Sequence, residues 1–335
     1  MKMDFLNLRL MLVYFLVLLV ELFISGAYGA ISQGNMRTID GINKEGPYLG
    51  IIVPNAYEMN PLLQSPSFQT HQHFPYFDFA GRRFRIGGLG NEKVIIVMTG
   101  LSMLNAGIAT QLLLSLFKVK GVLHYGIAGN ANSQLQIGDV TIPRYWAHTG
   151  LWNWQRYGNG PDDELAFESD GDYTRSIGYL NLKKSSQFME LPEERQHLFW
   201  VPVDKHYFSV AKRLKSLKLG GCVNETCLPR TPMVVRVRRG ISANVLLDNS
   251  AYRQFLNSKF NATPVDMETA AIALVCHQQN ISFIAFRSLS DLAGGGSALS
   301  NEAAIFGSLA AQNAVDALLR FITLTVHVIT HLIRL

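Results

Sequence analysis

Apolar residues fall along the chain in two rhythms, and their alternation predicts the architecture. Tyr48–Val53 (YLGIIV) is an unbroken apolar run stopped by Pro54, and 94–99 (VIIVMT), 121–125 and 283–289 (FIAFRSL) are further runs of that kind. Residues 84–87, 140–142 and 234–238 read as shorter strands. Between them, apolar positions recur at helical spacing over 105–117 (Ile108, Leu112, Leu113, Leu116), 204–217, 249–260, 267–279 and from Glu302 onward. Strands that are continuously apolar rather than alternating, and separated by helices, predict a sheet covered on both faces. The fold class is α/β: a three-layer αβα sandwich around a central mixed, mostly parallel sheet.

The pattern fails in two places. Residues 10–24 (LMLVYFLVLLVELFI) are almost wholly apolar, preceded by Lys2 and Arg9 and followed by small residues through Gly29. That layout reads as a secretory signal peptide over 1–29 rather than an anchor, because the small-residue exit fits cleavage. Residues 30–335 then form a single domain. Within it, about 144–203 is an aromatic and polar insertion containing Trp152, Trp154 and Tyr157, and patternless stretches of that length in compact domains tend to carry function. The apolar tail 318–335 is interrupted by Arg320, His327, His331 and Arg334, so it predicts a packed amphipathic helix rather than a membrane segment. No stable membrane insertion is expected once the signal is removed.

Composition narrows the classes. The chain is 48 % hydrophobic and 16 % charged, which excludes a disordered or coiled-coil protein. The net charge of +5 survives loss of the leader, since Lys2 and Arg9 leave with Asp4 and Glu21. The basic runs Arg82-Arg83-Phe84-Arg85 and Arg236-Val237-Arg238-Arg239 are short and interleaved with apolar residues, the look of strand faces and not of a nucleic-acid surface. In an oxidising compartment Cys222 and Cys227, five apart in a polar loop, predict a small-loop disulfide. Cys276 sits in an apolar helix as a buried thiol, and no second Cys or His pair at ligand spacing argues for a metal. Sequons occur at Asn224, Asn261 and Asn280, with Asn224 and Asn261 the better glycosylation candidates.

Ligands of open α/β sheets bind beyond the carboxyl ends of the strands. Four features fall there: Glu58, the turn Gly126-Ile127-Ala128-Gly129, Asp266-Met267-Glu268, and Ser290-Asp291. Singly, each has a bland reading as a surface carboxylate, a tight strand exit, a helix start or an N-cap. Their common rim is what points to a site.

Val265-Asp266-Met267-Glu268-Thr269-Ala270-Ala271, followed by Arg287-Ser288-Leu289-Ser290-Asp291, resembles the paired signature of the superfamily of purine nucleoside phosphorylases and methylthioadenosine/S-adenosylhomocysteine nucleosidases. Gly126-Ile127-Ala128-Gly129 with Gly138-Asp139-Val140, and Gly50-Ile51-Ile52 through Glu58, are similar to its sheet-centre and opening-strand motifs. The resemblance runs from about residue 48 to 320, and with the leader and the insertion it is strongest to the plant bark and vegetative storage protein branch. It implies cleavage of the base–ribose bond of a purine nucleoside by two carboxyl groups. Asp291 would protonate the departing purine and Glu58 would activate the attacking water. Glu268 would hold the ribose hydroxyls and Met267 would pack under the sugar. Ile127, Ala128, Gly129 and Ser290 would line the pocket, with base contacts near Leu247 and Asp248. The implied ligand is a purine nucleoside or free base, with no cofactor and no metal.

Water is favoured over phosphate as nucleophile, because Glu58 repels an anion and 99–107 lacks a Gly-rich, basic cradle. A phosphate-dependent phosphorylase and a nitrogen-storage protein with a vestigial site are the alternatives. The resemblance also implies a secreted product, in cell wall or vacuole, and a homodimer to which the insertion contributes.

Overall fold

Pro54 and Gly100 stop two neighbouring parallel strands at one level, and the rest of the sheet is built outward from that pair. The computed structural model describes residues 31–150, 198–294 and 302–332, with side chains of the last segment described for 304–325. The leader expected over 1–29 and the aromatic residues Trp152, Trp154 and Tyr157 lie outside the described residues. The chain divides between Glu45 and Gly46. Before the division is helix α1 (Gln33–Glu45), mostly polar but amphipathic, with Ile39 and Ile42 buried three residues apart.

After it, the elements run β1 (Tyr48–Val53), α2 (Ala56–Leu63), β2 (Phe68–Thr70), β3 (Tyr76–Phe79), β4 (Arg82–Leu89), β5 (Glu92–Met98), α3 (Met103–Leu116), β6 (Val119–Asn130) and β7 (Val140–His148). They continue with β8 (Val201–Pro202), α4 (Lys205–Val210), a 3₁₀ turn (Ala211–Ser216), β9 (Cys222–Val223), β10 (Thr226–Cys227), β11 (Val234–Ser242), α5 (Ser250–Phe260), β12 (Ala262–Asp266), α6 (Thr269–Gln278), β13 (Phe283–Leu292) and α7 (Glu302–Leu332). The main sheet has the order β12-β11-β7-β13-β6-β1-β5-β4-β2, with β3 on β4 and β8 on β7.

Pairs at the centre are parallel: β5–β1, β1–β6, β6–β13, and β7–β11–β12 on the far side. β12 also meets β6 in antiparallel register, Val265 opposite Gly129, so five strands close on themselves at that end. The sheet is mixed and mostly parallel at its centre, with helices on both faces.

β1 is buried along its whole length, and its side chains alternate between the two faces. Leu49, Ile51 and Val53 of β1 join Leu123, Tyr125, Ile284 and Phe286 under Val315, Leu318 and Phe321 of α7. On the other face Gly50 leaves room for Leu113 of α3, whose Cδ2 a Cβ there would approach to 2.8 Å. Truncating a filled position such as Leu318 to Ala costs about 2–5 kcal/mol.

Several expectations shift. β7 continues through Arg144 to His148, past the start read for the insertion at about 144, because β11 pairs it over that whole length. Helix 204–217 breaks into one α turn and a 3₁₀ turn. β13 runs on to Leu292 instead of ending at 289, because a bulge lets it keep its pairing with β6. Cys222 and Cys227 are joined in a disulfide across the β9–β10 hairpin, with Asn224 at its exposed turn (φ 51°). Among the described residues, no helix is long and apolar enough to cross a membrane.

Candidate active site

A guanidinium that no water reaches organises the site. Arg287 sits in the middle of β13 with no solvent exposure, a place where a charge survives only if it is paired. Its Nε lies 2.7 Å from Asp266 Oδ2, its Nη2 lies 3.4 Å from Glu268 Oε2, and it donates to Thr269 Oγ1 (3.1 Å) and Ile127 O (3.2 Å). Nη2 also faces His124 Nε2 at 2.5 Å. His124 is fully buried, and burial followed by the neighbouring cation holds its pKa well below the ordinary value.

Around this cation stand three buried carboxyl groups with different amounts of free valence. Asp266, the last residue of β12, is saturated: it accepts from Ser242 Oγ (2.5 Å), the Thr269 hydroxyl, and the amides of Glu268 and Thr269. Glu268 stands at the N-cap of α6 but does not cap it with its side chain. Instead Oε1 accepts from Ser102 N (3.0 Å) and Oε2 from Met267 N (3.3 Å). Burial raises the Glu268 pKa, against the pull of Arg287.

Glu58 occupies the first turn of α2, its amide donating to Asn55 Oδ1 at 3.1 Å. Its carboxyl accepts from the Ile127 amide, yet Oε2 has no partner among the described residues. Burial pushes this carboxyl up to about 8, the charges of Glu268 and Asp266 adding to that and Arg287 opposing it. A buried acceptor left empty needs an explanation; here it offers a lone pair beside Arg287. Gly126 makes the approach possible, since a Cβ there would collide with Arg287 Nη1 and lie 2.5 Å from Glu58 Oε2.

Asp291 is four residues beyond Arg287. The register of β13 on β6 steps from Leu289–Ala128 to Asp291–Gly129, so Ser290 is the extra residue of a bulge, a device that re-aims a side chain. Ser290 Oγ lies 2.6 Å from Asp291 Oδ1 and 3.3 Å from Ala128 O. Burial raises the Asp291 pKa and the Asp248 charge adds to it, while the Ser290 hydroxyl opposes. Glu58 reaches Gly126 and Asp291 pairs with Gly129, which separates the two along β6 by about 10 Å at the strand rise.

The remaining positions are distributed around this rim. Ile127 contributes its backbone on both sides, N–H to Glu58 and C=O to Arg287. Gly129 fits against Ala293, whose Cβ a side chain there would meet at 3.0 Å. Met267 is half-buried between the two acids. Leu247 belongs to an apolar cluster with Leu256, Phe260, Val265 and Ala293, and Asp248 is within electrostatic reach of Asp291. Asn261 stands at the left-handed C-cap of α5. No group of three or more metal-ligating side chains gathers among the described residues.

Ser102 is the strained element. It is a non-glycine residue at φ 95° and caps α3 while its amide holds Glu268. Such a backbone costs on the order of 1–3 kcal/mol and persists only where surroundings impose it. Arg82 imposes it from one side through Thr99 O (2.5 Å) and Asn105 Oδ1 (2.6 Å), and Asn244 from the other through Met103 N (2.9 Å).

The sequence pattern of the Phosphorylase superfamily matches residues 48–323 of this chain. The chain belongs to that superfamily. Bark storage protein A of Populus deltoides is 32 % identical over 282 residues, covering 82 % of this chain and 88 % of that protein. The 5'-methylthioadenosine/S-adenosylhomocysteine nucleosidase of Staphylococcus aureus is 28 % identical over 238 residues, covering 70 % and 85 %. Among solved structures, a mutant Helicobacter pylori nucleosidase with 5'-methylthioadenosine in its active site superposes with a TM-score of 0.60 at 18 % identity, covering 83 % of this chain and 99 % of that one. Futalosine hydrolase of Helicobacter pylori gives 0.59, also at 18 % identity, covering 82 % and 97 %. The superfamily member described here therefore has the nucleoside phosphorylase-like fold.

Proposed function

We propose that this superfamily member hydrolyses the base–ribose bond of a purine nucleoside. The observation that carries the reading is the meeting of Glu58 and Glu268 around Arg287, with Asp291 re-aimed on the same strand. Asp291, its pKa raised by burial, delivers a proton to the leaving purine. Glu58, in the ionised form that a pKa of about 8 makes available as pH rises, offers Oε2, buried and unpartnered among the described residues, to the attacking water and takes its proton. Glu268 accepts from ribose hydroxyls, and Ser102 and Arg287 keep its carboxylate in place. With three carboxyl groups against one guanidinium, phosphate is a poor nucleophile here.

A second reading, a nitrogen reserve that binds nucleosides without turnover, is favoured by the likeness to bark storage proteins A and B. Incubation of the purified protein with adenosine, inosine and methylthioadenosine separates the readings. Purine release without phosphate supports the hydrolase, release only with phosphate supports a phosphorylase, and no release supports the reserve. The proposal extends to passage through the secretory pathway to cell wall or vacuole, with glycans at Asn224 and Asn261. It includes a homodimer, supported by the exposed apolar side chains Leu101, Leu104 and Ile108 flanking the Ser102 turn.

A further inference from the structure

Two of the three arginines in the run Arg82-Arg83-Phe84-Arg85 are anchored. Arg82 braces the Ser102 turn. Arg83 forks onto Asp78 through Nε–Oδ1 (2.8 Å) and Nη2–Oδ2 (2.7 Å) and lays its guanidinium 4.1 Å from the Tyr76 ring centroid. Arg85 is half-buried and makes no hydrogen bond or ion pair with any described residue.

Strand register explains the difference. Tyr76 faces Arg85 and Asp78 faces Arg83 across β3 and β4, so these four side chains share the face opposite buried Phe84 and Ile86. Arg83 holds both oxygens of Asp78, and Arg85 feels that carboxylate as a charge without bonding to it. The face continues at Gly87, where a Cβ would lie 2.7 Å from the Phe68 ring; the missing side chain lets that ring lie across the strand. Leu63, Phe68, Pro75 and Tyr76, with Arg83 and Arg85, line a cavity of about 300 Å³. That is the lower end of the range for small-molecule sites, which pair apolar walls with a few polar groups.

We propose that this cavity binds a small organic anion, a carboxylate or a phosphate ester on a flat apolar body. Arg85 pairs with the anionic group while Phe68, Pro75 and Leu63 cover the body. Arg83 is tied to Asp78 by two hydrogen bonds, whereas Arg85, though within electrostatic reach of Asp78, keeps its N–H donors free of any acceptor among the described residues. Arg83 already covers one face of Tyr76, which leaves the edge and opposite face of that ring to the ligand. The site is independent of the nucleoside reading, since its lining residues are separate from Arg287, Glu58, Glu268 and Asp291.

Titration calorimetry of the full chain with 2-naphthoate, 2-naphthyl phosphate and uncharged 2-naphthamide tests this. At least one anion binds at least tenfold more tightly than the amide, and comparison of the two anions tells carboxylate from phosphate. R85M and R85Q, checked for folding by near-ultraviolet circular dichroism, abolish the preference for the anion, while E58Q leaves it intact. Equal affinity for all three compounds overturns the proposal. So does an anion preference that survives in both folded Arg85 variants, or one that disappears in E58Q.

Discussion

Arg287 Nη2 and His124 Nε2 lie 2.5 Å apart in the buried centre of the sheet, and the contact fixes the state of both groups. His124 Nδ1 is 2.9 Å from Ile52 O and so carries the ring proton, which leaves Nε2 as an acceptor for the guanidinium. The imidazole is neutral, and Arg287 is the one cation facing Glu58, Asp266 and Glu268 among the described residues. The site is tuned by how firmly that guanidinium is held.

Replacing His124 tests the hold. H124Q keeps a carbonyl acceptor near the Nε2 position, whereas H124L leaves a buried guanidinium N–H without its partner. An unsatisfied buried donor costs about 1–3 kcal/mol, so urea unfolding of H124L falls below that of H124Q by that order.

Removing the cation costs more. R287M leaves three buried carboxyl groups uncompensated, and breaking a buried pair of this kind costs about 3–5 kcal/mol. The loss is larger at pH 8 than at pH 5, because the Glu58 carboxyl, pushed up to about 8, is protonated at pH 5 and carries charge as pH approaches 8. Denaturant titrations at the two pH values check this, and R287K does not rescue, since a lysine cannot reproduce the forked contacts.

Glu58 gives a prediction whose sign differs from the usual carboxylate. Its folded pKa of about 8 lies above the ordinary 4.5, so the folded state holds the proton more tightly than the unfolded chain. Its contribution is fully present below about 4.5 and is lost as pH rises toward 8. E58Q removes that loss, so its melting temperature gains on the parent between pH 5 and pH 8. A gap that stays constant over this window contradicts the assignment.

The disulfide makes a small contribution. Loop-closure entropy for residues only five apart in sequence gives about 2 kcal/mol at most. The C222S/C227S double variant loses no more than this in guanidinium unfolding, and its nucleoside chemistry is unchanged.

Much of the fold is legible because its strands are continuously apolar and bounded by Pro and Gly. Glu58 and Glu268 are legible as acids just past strand ends, and Asp291 as an acid near the end of a strand that runs further than its apolar pattern. Arg287 and His124 escape a reading of strand ends, although FIAFRSL and VLHYG each carry a basic residue inside an apolar strand, which is itself the sign of a paired buried group. The bulge at Ser290 and the turn of β12 back onto β6 depend on contacts distant in sequence, so no local spacing announces them. Strands β2 and β3 are illegible for the opposite reason: both are short, largely exposed and lie at the sheet edge, so burial leaves no pattern.

Initial rates of purine release from methylthioadenosine, adenosine and inosine in phosphate-free buffer, for the parent chain and D291N, decide whether Asp291 serves a working hydrolase. The parent releases purine, and D291N turns over about 10²–10⁴-fold more slowly, the range for loss of a general acid, with KM little changed. Release by D291N at the parental rate, or none by the parent from any of the three nucleosides, overturns the assignment.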